Sequence, residues 1–464
     1  MSFIHVFRRL YSSATKVRIK NLSEIPSNTE VNINGWVKSV RNHKKVAFLD
    51  INDGSCIRNL QVVLSTGEFS TDQYFYGSAL EITGELIHRQ HKNPNMEILC
   101  KSIKQYGTCD PESYPLQSEY DHPLNYTRQF PHLRPRQNMT ASILRVRNRV
   151  EMLIHDYFQK NDFTHIHTPI ITSNDCEGAG ALFSVTLDTD EKEKENFFGI
   201  PSYLTVSGQL HLEACSMGIG NVYTLSPAFR AEQSRPRTHV SEFHMLEIEM
   251  AFTKSMQDLL NILEDSLRHI IKKSLEECNN ELSMFHQKAD IPNYQTIVER
   301  CANESFLNIE YKDIVKLLQS NRDKLSTDIK WGDDLNIEHE KFITTYHGHR
   351  PVFVTNFPAK LKPFYALHND DADGTSASFD LLFPHCGEMA GGTLREDRYD
   401  VLNQRLSSLG LENEYKWYSD LRKFGGVPHG GYGLGFDRLI RFLLGVNNIR
   451  DVIPFPRASH FCYL

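Results

Sequence analysis

At 464 residues the chain is too long for a single small core, so two or more domains are expected. Its formal net charge of −7 provides no global basic field, and a nucleic-acid partner would need a local basic surface. No apolar run approaches the roughly 20 residues of a membrane-spanning helix. The nine cysteines include no C-x-x-C pair, which argues against a disulfide framework and a zinc site. We therefore expect neither a membrane span nor a DNA partner.

The N-terminal segment has the composition of a mitochondrial transit peptide. Its first 20 residues carry five basic side chains, and the first acidic residue is Glu24. Apolar residues such as Phe3 and Leu10 are set against the arginines, and "RLYSSA" resembles a matrix-protease cleavage site with the cut before Ser12. We expect residues 1–15 to direct the protein to the mitochondrial matrix. A disordered basic leader is the alternative.

Residues 16–108 show the pattern of a small β-barrel. Five strand-like runs fall between about residues 30 and 105, and "NDGS" supplies an Asp-Gly turn after the second run. Short strands at this density favour an OB-fold. The proline-rich, aperiodic stretch at residues 109–137 predicts a hinge.

Residues 138–464 mix helices with strands, so the fold class is expected to be α+β. Between Met139 and Gln159, apolar residues recur at helical spacing. A long amphipathic helix is predicted at about residues 255–277, whereas residues 278–345 carry weak signals and no usable motif.

Two predicted strands place charged side chains where a buried face is expected. In "FRAEQSRPRTHVSEFHMLEIEM", Arg230 and Glu232 share a face before the loop. After the loop, alternation puts four side chains on one face: Phe243, Met245, Glu247 and Glu249. An exposed sheet face is one explanation for this pattern. A polar substrate lying on the sheet is the other.

The C-terminal "GGYGLGFDRLIRFLLG" alternates glycine with apolar residues. Three glycines fall on one strand face and leave it bare: Gly431, Gly433 and Gly435. Glycine there weakens a strand unless something must approach the backbone closely. A helix follows, with Arg438 at its start.

Together these segments resemble the motifs of the class II aminoacyl-tRNA synthetases. "FRAE…THVSEF" is similar to motif 2, at about residues 222–251, and "GYGLGFDR" is similar to motif 3, at about 430–444. The helix plus "HTPI", with Pro169, resembles motif 1, at about 145–171, which builds the dimer interface in that family. The order of the motifs is the family's order.

A barrel ahead of motif 1 is typical of the aspartyl, asparaginyl and lysyl subgroup. The resemblance runs from about residue 20 to the last residue. It implies an OB-fold anticodon-binding domain at residues 16–108 and a class II catalytic domain at 138–464, built on an antiparallel sheet flanked by helices. It also implies a homodimer.

The resemblance implies that ATP lies on the charged sheet face. Arg230 would hold the α-phosphate and follow charge onto the pentavalent phosphorus. Glu232 would accept a hydrogen bond from the adenine amino group, and Phe243 would stack on the ring. His239 would reach the γ-phosphate, while Arg438 would cover the other side of adenine or the γ-phosphate. The implied ATP-binding residues are Arg230, Glu232, His239, Phe243, Glu388, Gly435 and Arg438, of which Arg230, His239 and Arg438 are the implied catalytic ones.

The segment "SFDLLFPHCGEMAGG" supplies two candidate Mg²⁺ ligands, Asp380 and Glu388. Two acids at this spacing are usually a solvated surface, but they match an acidic segment of the family, and hard oxygen ligands suit Mg²⁺ bridging phosphates. The substrate carboxylate is itself the nucleophile, so no side chain need act as a general base.

Two further segments, "CEGAGALF" and "LTVSGQLHLE", resemble those of asparaginyl-tRNA synthetases. The resemblance implies that three residues bind the substrate ammonium: Glu177, Ser207 and Gln209. Leu212 stands where aspartyl enzymes have a lysine, and Glu247 stands where they have aspartate. The longer carboxylate would reach the amide NH₂ of asparagine, and Arg395 would donate to its carbonyl. The implied reaction joins asparagine to tRNA(Asn) through asparaginyl-adenylate.

Small departures from the family pattern exist. Asp437 precedes Arg438 where glutamate is commoner, and Ala366 replaces the usual methionine. Neither should alter the chemistry, although Ala366 would loosen the pocket.

The barrel resembles the family's anticodon-reading face. Phe48 would stack on the central anticodon uridine, Gln61 would bond the edge of that base, and Arg41 would take phosphate. A core phenylalanine is the alternative for Phe48. Glu85 and Glu97 are further candidates for reading neighbouring bases.

Three other functions compete with asparagine ligation. An aspartyl-tRNA synthetase is disfavoured by Leu212 and Glu247. An ammonia-dependent asparagine synthetase shares the catalytic fold but lacks the barrel. An inactive tRNA-binding relative predicts the loss of a phosphate or metal ligand, yet none of the implied ligands is missing.

Overall fold

The computed structural model describes residues 14–89, 95–117, 122–174, 182–187, 196–232 and 237–464. The chain forms two compact units, Met1–Arg145 and Val146–Leu464. Within the described ranges, no helix has both the length and the apolar character needed to cross a membrane. The predicted cleavage site before Ser12 lies outside the described residues.

The first unit is a closed β-barrel followed by short helical turns. Its strands are β1 (Thr15–Lys16), β2 (Thr29–Asn42), β3 (Val46–Asn52), β4 (Leu60–Ser65), β5 (Ala79–His88) and β6 (Met96–Gly107). They pair in the order β1-β2-β3-β4-β6-β5, and pairing between β2 and β5 closes the barrel. The five long strands coincide with the five predicted runs, which confirms the OB-fold expectation.

Alternation along β3 decides which side chains fill the barrel. Ala47, Leu49 and Ile51 are fully buried, whereas Phe48 and Asp50 between them remain partly exposed. Phe48 is therefore not among the core residues of the barrel.

The segment predicted as a hinge packs within the first unit. It contains α1 (Leu124–Thr127) and a 3₁₀ turn at Arg134–Arg136. Leu116 is fully buried, and the Tyr114 ring lies 5.9 Å from that of Tyr76. The unit continues to Arg145, inside the next helix.

The second unit is built on a long, mostly antiparallel sheet. Its helices, with α2 beginning in the first unit, are α2 (Asn138–Lys160), α3 (Gln209–Ile219), α4 (Met256–Glu277), α5 (Asn279–Lys288), α6 (Tyr294–Asn303), α7 (Tyr311–Ser320), α8 (Ile337–Tyr346), α9 (Tyr399–Ser408), α10 (Lys416–Lys423), α11 (Phe436–Leu444) and α12 (Ile449–Val452). Its strands are β7 (Thr164–His165), β8 (Ile171–Thr172), β9 (Tyr203–Leu204), β10 (Asn221–Phe229), β11 (Glu242–Ala251), β12 (Leu307–Glu310), β13 (Val352–Thr355), β14 (Ser378–Phe383), β15 (Gly387–Leu394) and β16 (His429–Gly435). Eight of these strands form one sheet in the order β12-β13-β14-β15-β16-β11-β10-β7.

This order brings distant motifs together. The motif 2 strands β10 and β11 pair antiparallel, and the motif 3 strand β16 lies between β11 and β15. Leu246 and Ile248 of β11 are buried, and so are their partners Leu434 and Tyr432 of β16, which lie on the same face of the sheet. The opposite face of the same strands carries the charged residues and the glycines.

The two predicted long helices are confirmed as α2 and α4, and each turns its periodic apolar residues inward. Residues 278–345, where the sequence signals are weak, fold into short helices and the edge strand β12. This segment has its own core, in which Ile314 and Leu318 of α7 pack with Val352 and Val354 of β13.

Candidate active site

A cleft opens on the charged face of the central strands. All seven predicted ATP-binding residues line it: Arg230, Glu232, His239, Phe243, Glu388, Gly435 and Arg438. Met245 and Gly433 also line the cleft. The strand order β15-β16-β11-β10 places these residues side by side, and alternation along each strand turns those on the strands to the same face. Residues up to about 200 positions apart in the chain thus line one cavity.

Phe243 forms part of the cleft wall and is only half-buried. The Arg230 guanidinium carbon lies 5.5 Å from the centroid of the Phe243 ring, which is a cation–π contact. The Arg230 backbone N–H donates to the carbonyl of Ser241 and fixes the start of the motif 2 loop. A guanidinium held beside an aromatic ring presents a pre-oriented fork of donors.

Glu232 and His239 face each other across the mouth of the cleft. Nδ1 of His239 lies 2.9 Å from Oε2 of Glu232, and both side chains are about two-fifths exposed. This pair leaves neither residue deeply desolvated. A ligand that binds Glu232 or His239 as predicted has to replace the contact between these two side chains.

The glycine-bearing face of β16 lets neighbouring side chains pack close to its backbone. A Cβ added at Gly433 would meet Cε of Met245 at 2.7 Å, so a larger residue here would have to displace the end of that methionine side chain. At Gly435 a Cβ would lie 3.3 Å from Cδ of Arg438. The glycines therefore form the floor of the cleft, as their alternation predicts.

Arg438 begins the helix α11 at the edge of the cleft. Its Nη1 donates to the carbonyl of Glu388 at 2.5 Å and lies 3.6 Å from a carboxylate oxygen of the same residue. Motif 3 is thus tied to the strand that carries the predicted metal ligand.

Asp380 and Glu388 converge on neighbouring strands. Asp380 of β14 pairs in register with Gly391 of β15. A Cβ on Gly391 would lie 3.0 Å from Oδ1 of Asp380 and 3.3 Å from Oε1 of Glu388, so both carboxylates stand over this glycine. Two hard oxygen donors over an open backbone suit Mg²⁺.

Lys362, which the sequence did not single out, binds the same carboxylate. Its Nζ donates to both oxygens of Asp380, at 2.6 and 2.7 Å. Burial, with Glu388 close by, raises the pKa of Asp380 to about 6, and Lys362 opposes that rise. The lysine supplies the positive charge that the buried carboxylate would otherwise lack.

A third carboxylate, Glu340 of α8, also reaches this site. It accepts a hydrogen bond from the backbone N–H of Glu388 at 3.0 Å. Burial and the neighbouring Glu388 raise the pKa of Glu340 to about 7. No local pattern could have found Glu340, because its partner lies 48 positions further along the chain.

The predicted amino-acid-binding residues lie deeper, at the start of α3 and on β11. Glu247 is buried, and its carboxylate accepts hydrogen bonds from the hydroxyl of Ser207 and from the backbone N–H of Gly208 at 2.8 Å. Leu212 is fully buried within α3. Glu177 lies outside the described residues, so its predicted contact with the ammonium group stays a prediction.

Arg395 pairs with Glu249 rather than with Glu247. Its Nε and Nη2 donate to the two oxygens of Glu249 at 3.1 and 2.9 Å, and Nη1 donates to Oγ1 of Thr393. Gln209 donates to Oε2 of Glu249 and to the carbonyl of Ile248. Glu249, which had no predicted role, therefore orients two residues of the predicted asparagine pocket.

Asp437, the departure from the family pattern, bridges motifs 1, 2 and 3. It accepts from Nη1 of Arg147 at 2.5 Å and from the backbone N–H of His244 at 2.8 Å. Arg147 also donates to the carbonyl of Val452 at 3.1 Å. Both carboxylate oxygens of Asp437 therefore accept hydrogen bonds, and the expectation that this residue leaves the chemistry unaltered stays a prediction.

The predicted anticodon-reading residues lie side by side on the barrel. Arg41 pairs in register with Phe48 across β2 and β3, and its guanidinium carbon lies 5.8 Å from the ring centroid. Nη2 of Arg41 also donates to Asp50 and to Gln61, each at 3.2 Å. The amide of Gln61 donates in turn to Glu97 at 3.3 Å. Asp50 is a member of this row that the sequence did not single out.

Pro169 is exposed in motif 1 and is followed by two exposed apolar residues, Ile170 and Ile171. The apolar face of α2, by contrast, is buried within the protomer, as Ile154 and Phe158 show. In this region, exposed apolar residues therefore lie beside Pro169, whereas the periodic face of the helix is covered.

Comparison with known proteins identifies the family. Residues 123–459 match the family described as "tRNA synthetases class II (D, K and N)", and residues 31–106 match the "OB-fold nucleic acid binding domain" family. The asparaginyl-tRNA synthetase of Mus musculus is 45% identical over 436 residues, which cover 94% of this chain and 91% of the mouse protein.

Two more relatives point the same way. The "Probable asparagine--tRNA ligase, mitochondrial" of Dictyostelium discoideum is 44% identical, over 93% of this chain and 94% of its own length. The crystal structure of asparaginyl-tRNA synthetase from Pyrococcus horikoshii complexed with asparaginyl-adenylate matches with a TM-score of 0.85 and 28% identity, over 97% of this chain and 100% of that chain. The chain therefore belongs to the class II tRNA synthetases of the aspartate, lysine and asparagine group, and within that group to the asparaginyl-tRNA synthetases.

Proposed function

We propose that this chain activates asparagine with ATP, forms asparaginyl-adenylate and pyrophosphate, and transfers asparagine to the 3′-terminal adenosine of tRNA(Asn). One observation carries the proposal: seven residues from motif 2, motif 3 and the acidic segment between them line a single cleft. The chain's identity of more than 40% with asparaginyl-tRNA synthetases supports the choice of amino acid. Amino-acid-dependent ATP–pyrophosphate exchange tests the proposal.

Catalysis in this proposal consists of positioning and charge neutralisation. The carboxylate of asparagine attacks the α-phosphorus of ATP, a P–O bond forms, and the bond to pyrophosphate breaks. Arg230 follows the charge that develops on the α-phosphate, since its guanidinium is held against Phe243 at 5.5 Å. Arg438 and His239 bind the outer phosphates, and Phe243 and Glu232 bind adenine.

Asp380 and Glu388 would hold Mg²⁺, which supplies charge neutralisation on the phosphates when it is bound. Support for this assignment comes from the two carboxylates standing over Gly391. Lys362 donates to the carboxylate of Asp380, and Glu340 accepts from the backbone N–H of Glu388. These contacts help to position the two proposed ligands.

The choice between asparagine and aspartate rests on charge in this proposal, because the two substrates have nearly the same size. Glu247 accepts from the amide NH₂ of the substrate, and Arg395 donates to its carbonyl. Ser207 and Gln209, with Glu177, bind the substrate ammonium. The observed bonds of Ser207 to Glu247 and of Gln209 to Glu249 support a shared pocket for these side chains.

On the barrel, Phe48→Ala should weaken aminoacylation of tRNA(Asn) and spare adenylate formation. The ring is partly exposed beside Arg41, and stacking of a base on an aromatic side chain contributes roughly 1–3 kcal/mol. The measurement compares tRNA charging with pyrophosphate exchange, which needs no tRNA. Leu49→Ala is the matched control, because Leu49 is a core residue and its loss should lower the stability of the barrel. If Phe48→Ala reduces both reactions equally, the anticodon role is wrong.

We also propose that the protein acts in mitochondrial translation, in the matrix. The basic, acid-free leader and the mitochondrial relative from Dictyostelium support this location. N-terminal sequencing of the protein isolated from mitochondria should find about the first 11 residues removed. A mature chain that begins at Met1 contradicts cleavage.

A homodimer with two-fold symmetry is proposed on the basis of motif 1. The exposed Ile170 and Ile171 beside Pro169 support an interface there. Light scattering at assay concentration should give twice the chain mass of 53.5 kDa. An active monomer would overturn this assignment.

A further inference from the structure

In contact with the predicted asparagine-pocket residues lies a buried group of charged residues to which the sequence assigned no role. Ligand atoms of Glu213, Glu249 and His429 lie within 4.8 Å of one another, and all three residues are buried. A metal ion is not needed to hold them, because Arg422 binds Glu213 and Arg395 binds Glu249. The group is a network of ion pairs, and one of its members, Arg395, is a predicted pocket residue.

Glu213 is the centre of this network. Its carboxylate accepts from the hydroxyl of Tyr418 at 2.6 Å, from Nη2 of Arg422 at 2.8 Å, and faces Nε2 of His429 at 2.7 Å. Arg422 and His429 together outweigh the cost of burial and hold the pKa of Glu213 at about 2. Glu213 is therefore a fully ionised carboxylate at neutral pH.

His429 is held through both of its ring nitrogens. Its Nδ1 lies 2.7 Å from the carbonyl oxygen of Val427. Its Nε2 lies 2.7 Å from the Glu213 carboxylate and 3.4 Å from Nη2 of Arg422. His429 therefore belongs to the same buried group of contacts as Glu213 and Arg422.

These contacts close a ring that contains the predicted pocket residues. Glu213 lies one helical turn after Gln209 on α3, so both face the same way. Gln209 donates to Glu249, and Glu249 holds Arg395. The backbone N–H of Arg395 donates to the carbonyl of His429 at 2.9 Å. The ring of His429 contacts the Glu213 carboxylate through Nε2, which closes the ring of contacts.

Arg422 strengthens the same connection from outside the ring. Its Nε donates to the carbonyl of Glu396, the residue after Arg395, at 2.9 Å. One carboxylate thus ties the start of α3, which carries Gln209, to the end of β15, which leads into Arg395.

We propose that Glu213 is a positioning and specificity-determining residue for asparagine: it holds Gln209 and Arg395 in register, and its negative charge disfavours an acidic substrate in the pocket. This inference rests on the proposed function, since it names a residue that tunes the same pocket. Without the charge of Glu213, the buried Arg422 guanidinium would lose its carboxylate partner, and a negatively charged substrate would be less disfavoured in the pocket.

The test compares asparagine and aspartate in pyrophosphate exchange. Glu213→Gln keeps the size of the side chain and removes its charge. The variant should raise the KM for asparagine, leave the KM for ATP unchanged, and reduce the preference for asparagine over aspartate about tenfold, as expected for one unit charge acting through a partly screened interior. Tyr418→Phe is the matched control, because it removes a donor to Glu213 without changing the charge, and it should keep the wild-type preference.

Two further variants separate charge from fold. Glu213→Asp keeps the charge and shortens the reach, so the KM for asparagine should rise while the preference is kept. Glu213→Gln combined with Arg422→Gln removes both partners of the ion pair, which buried pairs tolerate better than the loss of one, and should restore the preference. If Glu213→Gln does not fold, Glu213→Asp and the double variant still decide between the two outcomes.

Equal loss of activity with both amino acids in Glu213→Gln, or loss of the preference in Glu213→Asp, would overturn the inference and leave a purely structural network. The proposed function fails by a different result, namely a wild-type enzyme that does not prefer asparagine. The two failures are therefore distinguishable in one assay.

Discussion

Replacing Arg230 with glutamine should lower the rate of asparagine-dependent ATP–pyrophosphate exchange by about a thousandfold, the order seen when a single donor to transition-state charge is removed. Arg230 lines the cleft, and its guanidinium carbon lies 5.5 Å from the centroid of the Phe243 ring, so its donors are held in the cleft before the substrate arrives. Glutamine offers one amide in place of the planar fork and carries no charge, so it cannot follow charge onto the phosphorus.

The loss should be mainly in kcat, because the interaction strengthens in the transition state. Arg322→Gln is the matched control, since Arg322 is an exposed arginine that does not line the cleft, and it should leave exchange unchanged. A variant Arg230→Gln that shows only a higher KM for ATP would mean that Arg230 binds the ground state and does not stabilise the transition state.

Replacing Glu247 with glutamine should cut asparagine activation by about a hundredfold, because a site built to hydrogen-bond one substrate group loses most of its discrimination when the partner changes. It should also narrow the preference for asparagine over aspartate by about tenfold or more. With glutamate, aspartate would set two carboxylates against each other with no proton between them. Glutamine removes that repulsion and at the same time loses the acceptor for the amide NH₂ of asparagine.

The structure makes this substitution a fair test. Glutamine can accept from the N–H of Gly208 with its oxygen and donate to the hydroxyl of Ser207 with its NH₂, so the local bonds of Glu247 can be kept. Introducing lysine at Leu212 should help aspartate further, but Leu212 is fully buried and the lysine would have to be desolvated. The single variant is therefore the cleaner experiment. An unchanged ratio of asparagine to aspartate activation in Glu247→Gln would show that Glu247 does not face the substrate amide.

Periodicity was sufficient to predict the barrel, the long helices and the charged face of β11. These features depend on side chains that repeat every second or every third to fourth position, and such patterns are visible in the sequence. Glycines with no space for a Cβ, such as Gly431, where a Cβ would clash with the carbonyl oxygen of Ile248, were detectable for the same reason.

Contacts between residues that lie far apart in the chain could not be predicted from local sequence patterns. Glu340 meets the backbone of Glu388 across 48 positions, and Glu213 meets His429 across 216 positions. The short helices of residues 278–345 are stabilised by packing against the sheet rather than by strong local signals. The resemblance to the family implied Arg395 as a pocket residue, but it did not indicate that Glu249 is the ionic partner of Arg395.

The central claim is that the cleft activates asparagine, and one measurement tests it most directly. Amino-acid-dependent ATP–pyrophosphate exchange is run on the wild-type protein with asparagine, aspartate and lysine side by side. We expect exchange with asparagine, and a kcat/KM for aspartate lower by about a thousandfold, because a like-charge contact in a partly desolvated pocket costs several kcal/mol. Lysine should give no exchange above background. Equal or faster exchange with aspartate or lysine, or no exchange with any of the three, would contradict the account.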